Sequence, residues 1–441
     1  MRPASVAQTV ASQAEVEEQA RLERIRRAWL AYYGQMDRPL RVRPGDPDDN
    51  VLLNYARLIV NTTVAFLFGR DIRFEVPGDE AADAWLQECW RANRLMSTIT
   101  RLGINGAVAG HAVVQVRPGS PFPRVLLVDP MNLSVELDPE DYERVLEYRI
   151  QWNAVRDGRA AVRRRRVVRL DGAWEIIDEA SAGDAPAWQE LAREPWPYEW
   201  APILHCQNLP SPNSFWGMSD LEQDVLHVNR SINFVLSNMA RILRHHAHPW
   251  VWGRGFSADS IRASVAEIMV LPGADAELRT LEMQSDLASS IELYKRLTEA
   301  LHKIASVPEV ASGKLDSVGQ LSGLALQLLY RPLVDMTEVK RSFYGELLLD
   351  LNRRLLELGG MEPQAEVVIH WQDILPRDPR TEAETAMLEE QLGASRRTLL
   401  SRLGFDPDQE AAQREDEADA AAAVAERQAA AFDRGAASLE R

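Results

Sequence analysis

The chain has 441 residues, 46% of them hydrophobic and 26% charged, with a formal net charge of −16 at pH 7. That length suits two or three domain-sized units with a substantial core, and the acidic balance excludes a protein that grips nucleic acid over its whole surface, which needs clustered Lys and Arg. No run reaches the ~18 uncharged apolar residues of a membrane span, and the two cysteines, Cys89 and Cys206, lack metal-motif spacing and point to a reducing, cytosol-like compartment.

Residues 1–20 are polar and Ala-rich and read as a mobile arm. Leu22, Ile25, Trp29 and Tyr32 give helical spacing over Arg21 to Tyr33, followed by a Pro/Asp/Gly-rich connection from Arg38 to Asp49. Helix resumes from Asn50 to Phe68 with Gly69 as its C-cap, before a strand over Ile72 to Val76. Asp79 to Gly110 reads as two helices. An antiparallel β region follows, with strands at His111 to Val116, Val125 to Val128, Leu133 to Leu137, Arg144 to Trp152, Arg163 to Leu170 and Trp174 to Asp178. Gly183 to Trp200, with Pro186, Pro195 and Pro197, reads as an irregular connection to a strand at Ile203 to Cys206.

From Ser219 the residues Leu221, Val225, Val228, Ile232, Val235, Met239 and Ile242 form one helical stripe to about Ala247. Ser219 with Glu222 reads as a capping box, and His248-Pro249 stops the helix. Short apolar runs at Trp250 to Trp252, Glu267 to Leu271 and Leu278 to Met283 signal a small β module. A second helix starts at Ser285 and ends at Val307-Pro308. An eleven-residue loop, Glu309 to Gly319, leads to a third long helix from Ser322 to about Leu358. Pro332, inside it, predicts a kink. Glu366 to His370 reads as a returning strand, Glu382 to Leu392 and Ser395 to Leu403 as short helices, and the Ala/Glu-rich tail to Arg441 as a solvated or frayed helix.

This order of parts resembles the portal, or connector, proteins of tailed bacteriophages. The likeness rests on Asn54 to Phe68 followed by Gly69-Arg70-Asp71-Ile72, on Val128-Asp129-Pro130, and on Trp216-Gly217-Met218-Ser219-Asp220-Leu221. Val307-Pro308 followed by Ser322-Gly323-Leu324-Ala325-Leu326 is the most specific match, and Trp371 to Pro376 leading into Ser395-Arg396-Arg397-Thr398 closes the series. The resemblance implies a mainly helical α+β fold assembled as a closed ring around an axial channel. Its parts would be an arm (1–20), a wing (21–218), stem helices (219–247 and 285–308), a clip (248–284), a tunnel loop (309–321), a long kinked helix (322–360) returning to a wing strand (361–379), and a crown with its tail (380–441).

The same resemblance implies a dodecameric portal at one capsid vertex, part of the virion and assembled in the host cytoplasm. Double-stranded DNA would pass through it in packaging and ejection. Its partners would be the terminase large subunit, major capsid and scaffolding proteins, and a head-tail adaptor, with no membrane and no cofactor. An acidic or mixed wall suits that passage, because it does not hold the duplex. The tunnel loop would present Ser312, Lys314, Asp316, Ser317 and Gln320 to DNA, although the residues alone read equally as a long interhelical connection. The clip would place Trp250, Trp252 and Arg254 at interfaces, against the plainer reading of the tryptophans as core.

Arg241, Arg244 and His245 on the stem face either DNA or the motor, or simply complement the helix dipole. His245, His246 and His248 have partial metal-ligand spacing but no neighbouring carboxylate or cysteine, so no metal is assigned. Arg163 to Arg166 reads as a charged sheet edge rather than a phosphate site. No phosphate-binding Gly-rich loop, G-x-S-x-G or H-E-x-x-H is present, so no catalysis is expected. The alternatives are the ring of a prophage or gene-transfer particle, a non-viral helical scaffold, and a nucleic-acid-processing enzyme.

Overall fold

A computed structural model describes residues 6–45, 47–156, 159–182, 187–247, 250–254, 277–281, 287–312, 323–361, 366–375, 379–402, 407, 409–414 and 417. The chain divides into two units, Met1–Ile374 and Leu375–Arg441.

The first unit opens with α1 (Val6–Tyr32), a single helix that crosses the expected boundary at residue 20, so the arm is not separate from the helix that follows it. Arg21 fixes that junction. Its guanidinium pairs with Glu18 at 2.6 Å, donates to the carbonyl oxygens of Pro130 and Leu133, and stacks over Trp216. Helix α2 (Tyr55–Phe68) begins five residues later than its composition suggests. Asn54 is the reason, because its side chain accepts from the Arg57 amide and caps the helix there. Gly69 closes α2 as expected. Helices α3 (Glu80–Ala92) and α4 (Leu95–Ala109) follow β1 (Arg73–Glu75), which pairs antiparallel with the returning strand β12 (Val368–His370).

Two sheets build the rest. Strands β2 (His111–Arg117), β3 (Arg124–Leu127) and β9 (Ile203–Gln207) form a three-stranded sheet in the order β3-β2-β9. Strands β4 (Leu133–Asp138), β5 (Asp141–Arg156), β6 (Arg159–Leu170), β7 (Ala173–Ala182) and β8 (Gln189–Trp196) form an antiparallel sheet in sequence order. Strand β8 lies where the prolines pointed to an irregular connection. Being an edge strand, it can hold Pro195 without breaking a ladder on its outer side.

The arginine run overturns a second expectation. Arg163 to Arg166 sit on β6, the central strand, and not on an edge. On β7, Glu179 and Asp178 stand directly opposite Arg164 and Arg165, while on β5 Glu147 stands two places from the residue opposite Arg166, within diagonal reach. Arg164 meets Glu179 at 2.6 Å and Arg165 meets Asp178 at 2.5 Å across β7, while Arg166 meets Glu147 at 2.6 Å across β5. Opposite charges facing each other across strands stabilise the sheet, and these three guanidiniums are already bound.

Helix α5 (Gln223–Ala247) leads out to strand β10 (Trp250–Arg254), which pairs antiparallel with β11 (Glu277–Leu281). Helix α6 (Leu287–Ile304) leads back and packs on α5. The run Glu267 to Leu271 and the Ser285 cap lie outside the described residues. After a short 3-10 turn, Glu309–Ser312, comes the 36-residue helix α7 (Gly323–Leu358). Pro332 stands inside it and the helix continues through that position.

Helix α7 buries Tyr344, Leu348, Leu351 and Leu355 against α2, α3, α4 and the three-stranded sheet. The opposite face of that sheet packs on the five-stranded sheet through Val113, Ile203, Tyr148 and Trp174. A third cluster, with Ile59, Val60, Ile232, Leu301 and Leu333, joins α1, α2, α5, α6 and α7. The second unit contains α8 (Pro379–Gln391) and α9 (Arg396–Arg402), the latter starting after Ser395, whose carbonyl accepts from the Leu399 amide.

Candidate functional site

The expected channel elements are the helical pair α5/α6 and the loop that opens α7, and the structure shows how they are rooted. At the root is Asp220, in the turn Trp216 to Leu221. The Lys340 ammonium on α7 lies 2.6 Å from both Asp220 carboxylate oxygens, and both side chains are 2% exposed. Thr63 of α2 donates to the same carboxylate at 2.6 Å and Asn208 donates at 2.9 Å, while Tyr344 of α7 donates to the Asn208 carbonyl at 3.2 Å. One buried carboxylate thus ties together α2, the end of β9, the approach to α5 and the middle of α7. Every partner is hydrogen-bonded, which is the condition for keeping a charge pair inside a protein.

Ser219 takes a different part from the one its sequence suggests. The reciprocal bonds of a capping box exist, with Leu221 N–H donating to Ser219 Oγ and Ser219 N–H donating to Glu222. They close a turn ahead of α5, which starts at Gln223. The Ser219 hydroxyl shares its one proton between the carbonyl oxygens of Ala107 and Val108, at 2.9 and 2.8 Å, and the Asp220 amide donates to Ala107. These two donors satisfy carbonyls at the open C-terminal end of α4. Gly217 and Gly110 cross there back to back. A Cβ on Gly217 would lie 2.5 Å from the Gly110 carbonyl oxygen, so the close approach requires glycine.

Further along α5, Asn229, Asn233 and Ser237 recur every four residues and are all buried. They hold the extended segment before α2 by side chain alone. Asn229 donates to the Leu53 carbonyl, the Leu53 amide donates to Asn233 at 2.9 Å, and the Val51 amide donates to Ser237 at 2.9 Å. Arg241 and Arg244 extend the row and both reach Asp49, at 3.4 and 2.6 Å. This row explains why residues 50–53 are not helical: their backbone groups find partners on α5. Asn233→Ala should leave the Leu53 amide without its acceptor. Hydrogen exchange at Leu53 should then accelerate at least tenfold, with a stability loss of about 1–3 kcal/mol.

The other expected site residues fall as follows. His245 and His246 are in the last turn of α5, and His248 lies outside the described residues. Trp250, Trp252 and Arg254 alternate along β10, opposite Leu281, Arg279 and Glu277 of β11. Ser312 ends the 3-10 turn, whose helical bonds take up the first residues expected to form the loop. Lys314, Asp316, Ser317 and Gln320 lie outside the described residues. Among the described residues no group of three or more His, Cys, Asp or Glu could hold a metal ion.

Two further titratable groups meet where the two sheets pack, His111 buried and His205 half-buried at the edge of β9. His111 Nε2 and His205 Nδ1 are 3.3 Å apart, with the rings stacked and Phe215 alongside. Burial first, then His205 and Arg21, hold His111 well below its ordinary value; burial and Arg354 lower His205 to about 4. A depressed folded value gives stability that is present above the unfolded pKa of about 6.5 and lost as pH falls towards 4. For His205 alone this amounts to about 2 kcal/mol between pH 7 and pH 5. Urea midpoints across that range should show the fall, and His205→Phe should make it shallower, leaving the share that His111 contributes.

The sequence matches the phage portal protein family described as SPP1 Gp6-like over residues 14–157 and 218–423. The chain belongs to this portal family. Portal proteins are structural components of the virion and not enzymes, and the α+β architecture is consistent with that family. Among solved structures, the fold is similar to a chain in the neck of an empty GTA particle computed with C6 symmetry. That likeness has a TM-score of 0.52 at 13% identity, over 80% of this chain and 90% of that one. A chain in the virion of a native gene transfer agent particle is similar at a TM-score of 0.44 and 15% identity, over 80% and 88%. No protein of curated function matches the chain in sequence.

Asp220 and Lys340 were not among the expected site residues. A signal existed: Lys340 falls on the spacing Leu333, Thr337, Tyr344 and Leu347 that α7 buries. A lysine on a buried stripe calls for an acid.

Proposed function

We propose that the protein is the portal of a phage or prophage head, a ring of copies, twelve by family likeness, whose channel admits and releases double-stranded DNA. The family match supports this reading, since residues 14–157 cover the first part of the wing and residues 218–423 cover Asp220, both stem helices and α7. In it, α5 and α6 are the stem, β10 and β11 the clip, and the loop before α7 the DNA-facing element, with Lys314 and Asp316 at its centre. Pro332 bends the rod behind that loop. Arg241 and Arg244 brace the stem on Asp49, leaving His245 at its far end. Trp250, Trp252 and Arg254 meet neighbouring subunits or the terminase motor and, later, the head-tail adaptor. The ring is built in the host cytoplasm and stays in the virion.

Native mass measurement with negative-stain imaging tests the ring. A closed particle with an axial opening is expected, and a compact monomer at every concentration and salt would overturn the reading. Replacing Lys314 and Asp316 together with alanine should change DNA packaging or retention by at least several-fold while rings still assemble. Unchanged packaging would remove the loop assignment.

A second reading has an observation of its own. The neighbour of TM-score 0.52 comes from a GTA particle neck. The same ring would then serve a gene-transfer particle, and terminase and capsid genes beside this one, together with the length of DNA in purified particles, would separate the two.

A further inference from the structure

Among the described residues, strand β9 has a strand partner on one side only. The Asn208 amide donates to the Gly110 carbonyl and the Val116 amide to the Pro202 carbonyl, so the even-numbered residues of β9 face β2. Ile203, His205 and Gln207 therefore turn their backbone groups to the other side. That side is a cleft of about 920 Å³ between α7 and the β4–β5 hairpin, with Phe343 and Leu347 on one wall and Tyr142 and Phe215 on the other. Only the first of the three positions is partly served, by Arg354 donating to the Ile203 carbonyl at 3.3 Å. A recessed edge of three alternate residues, floored by apolar side chains, is the geometry that accepts an added strand.

The same chain carries a protruding edge of matching length. Strand β4 stops at Leu133, opposite Ile150, so β5 runs on from Gln151 to Arg156 with β6 as its partner on one side. The hairpin closes on the pair Arg156 and Arg159. Even-numbered residues of β5 thus bond to β6, and Gln151, Asn153 and Val155 turn their backbone groups outward. Val155 is 76% exposed. Charge agrees as well. Residues 151–163 contain Arg156, Arg159 and Arg163 against one acid, Asp157. In the lining of the cleft Arg354 and Asp350 neutralise each other, which leaves Glu143 and Glu346 against Arg353.

We propose that the outer edge of β5 in one copy, residues 151–155, adds as a strand to the free edge of β9, residues 203–207, in the next copy. The two surfaces differ, so the contact is head-to-tail and propagates round a ring. The proposal rests on the portal reading and assigns one of its subunit contacts to the wing.

Ser211 follows β9, its amide donates to the Gln207 side chain, and it lines the same cleft, so cysteines placed by Asn153→Cys and Ser211→Cys test the contact in the full chain. Under mild oxidation the double variant should give a covalent ladder up to the ring size, an equal mixture of the two single variants should give dimers and nothing larger, and each single variant alone should stay uncrosslinked. Asn153→Pro removes an outward amide that the β5–β6 ladder does not use, and should weaken assembly at least tenfold in concentration while leaving the circular dichroism of the subunit unchanged. Intact rings without crosslinks, or rings indifferent to Asn153→Pro, would overturn the strand exchange and leave the portal reading standing. A monomer in every condition would overturn both.

Discussion

Replacing Lys340 with methionine should destabilise the protein by about 3–5 kcal/mol, the range found when one partner is stripped from a buried ion pair. Asp220 would keep Thr63 and Asn208 as donors but would hold an uncompensated charge at 2% exposure. The double variant Asp220→Asn/Lys340→Met should recover at least half of the loss, because no charge then remains to be solvated. Urea unfolding followed by tryptophan fluorescence measures both. A Lys340→Met loss below about 1 kcal/mol would mean that the pair does not bear on stability, and the root of the stem would have to be sought elsewhere.

Gly106→Ala should be nearly as damaging, at about 2–5 kcal/mol. A Cβ there would lie 1.8 Å from the Tyr344 hydroxyl and 3.0 Å from its ring carbon Cζ. Tyr344 is fully buried and cannot swing away without losing its bond to Asn208. Overpacking contributes about 1–3 kcal/mol and the broken buried hydrogen bond about as much. Tyr344→Phe removes the clashing atom. The double variant should therefore be more stable than the sum of the two losses predicts, by at least about 1 kcal/mol, and simple additivity would show that the contact is not the cause.

Both variants act where the sequence is least explicit. Periodic segments are legible in it: α3, α4, α5 and α7, and most strands of the two sheets, follow from apolar spacing and turn residues. The parts that mislead are those where side chains from distant positions override local preference. Residues 50–53 have the composition of a helix start, yet Asn229, Asn233 and Ser237, almost two hundred residues away, keep them extended. Four successive arginines look like a solvated edge until Glu147, Asp178 and Glu179 are known to stand beside them. Ser219 has the spacing of a cap for the next helix and makes those bonds, yet its hydroxyl also closes the end of the previous one. For the site, the order of parts could be read from the motifs. The carboxylate that binds those parts together could not, because its lysine lies 120 residues further along the chain.

Helix α7 has a mechanical consequence. At 1.5 Å per residue its 36 residues extend roughly 54 Å, and Lys340 lies close to the midpoint between Gly323 and Leu358. The ion pair therefore acts as a fulcrum with lever arms of about 26 Å on either side. Pro332 lies on the arm nearer the loop and removes one rung from it, so that arm is the more compliant.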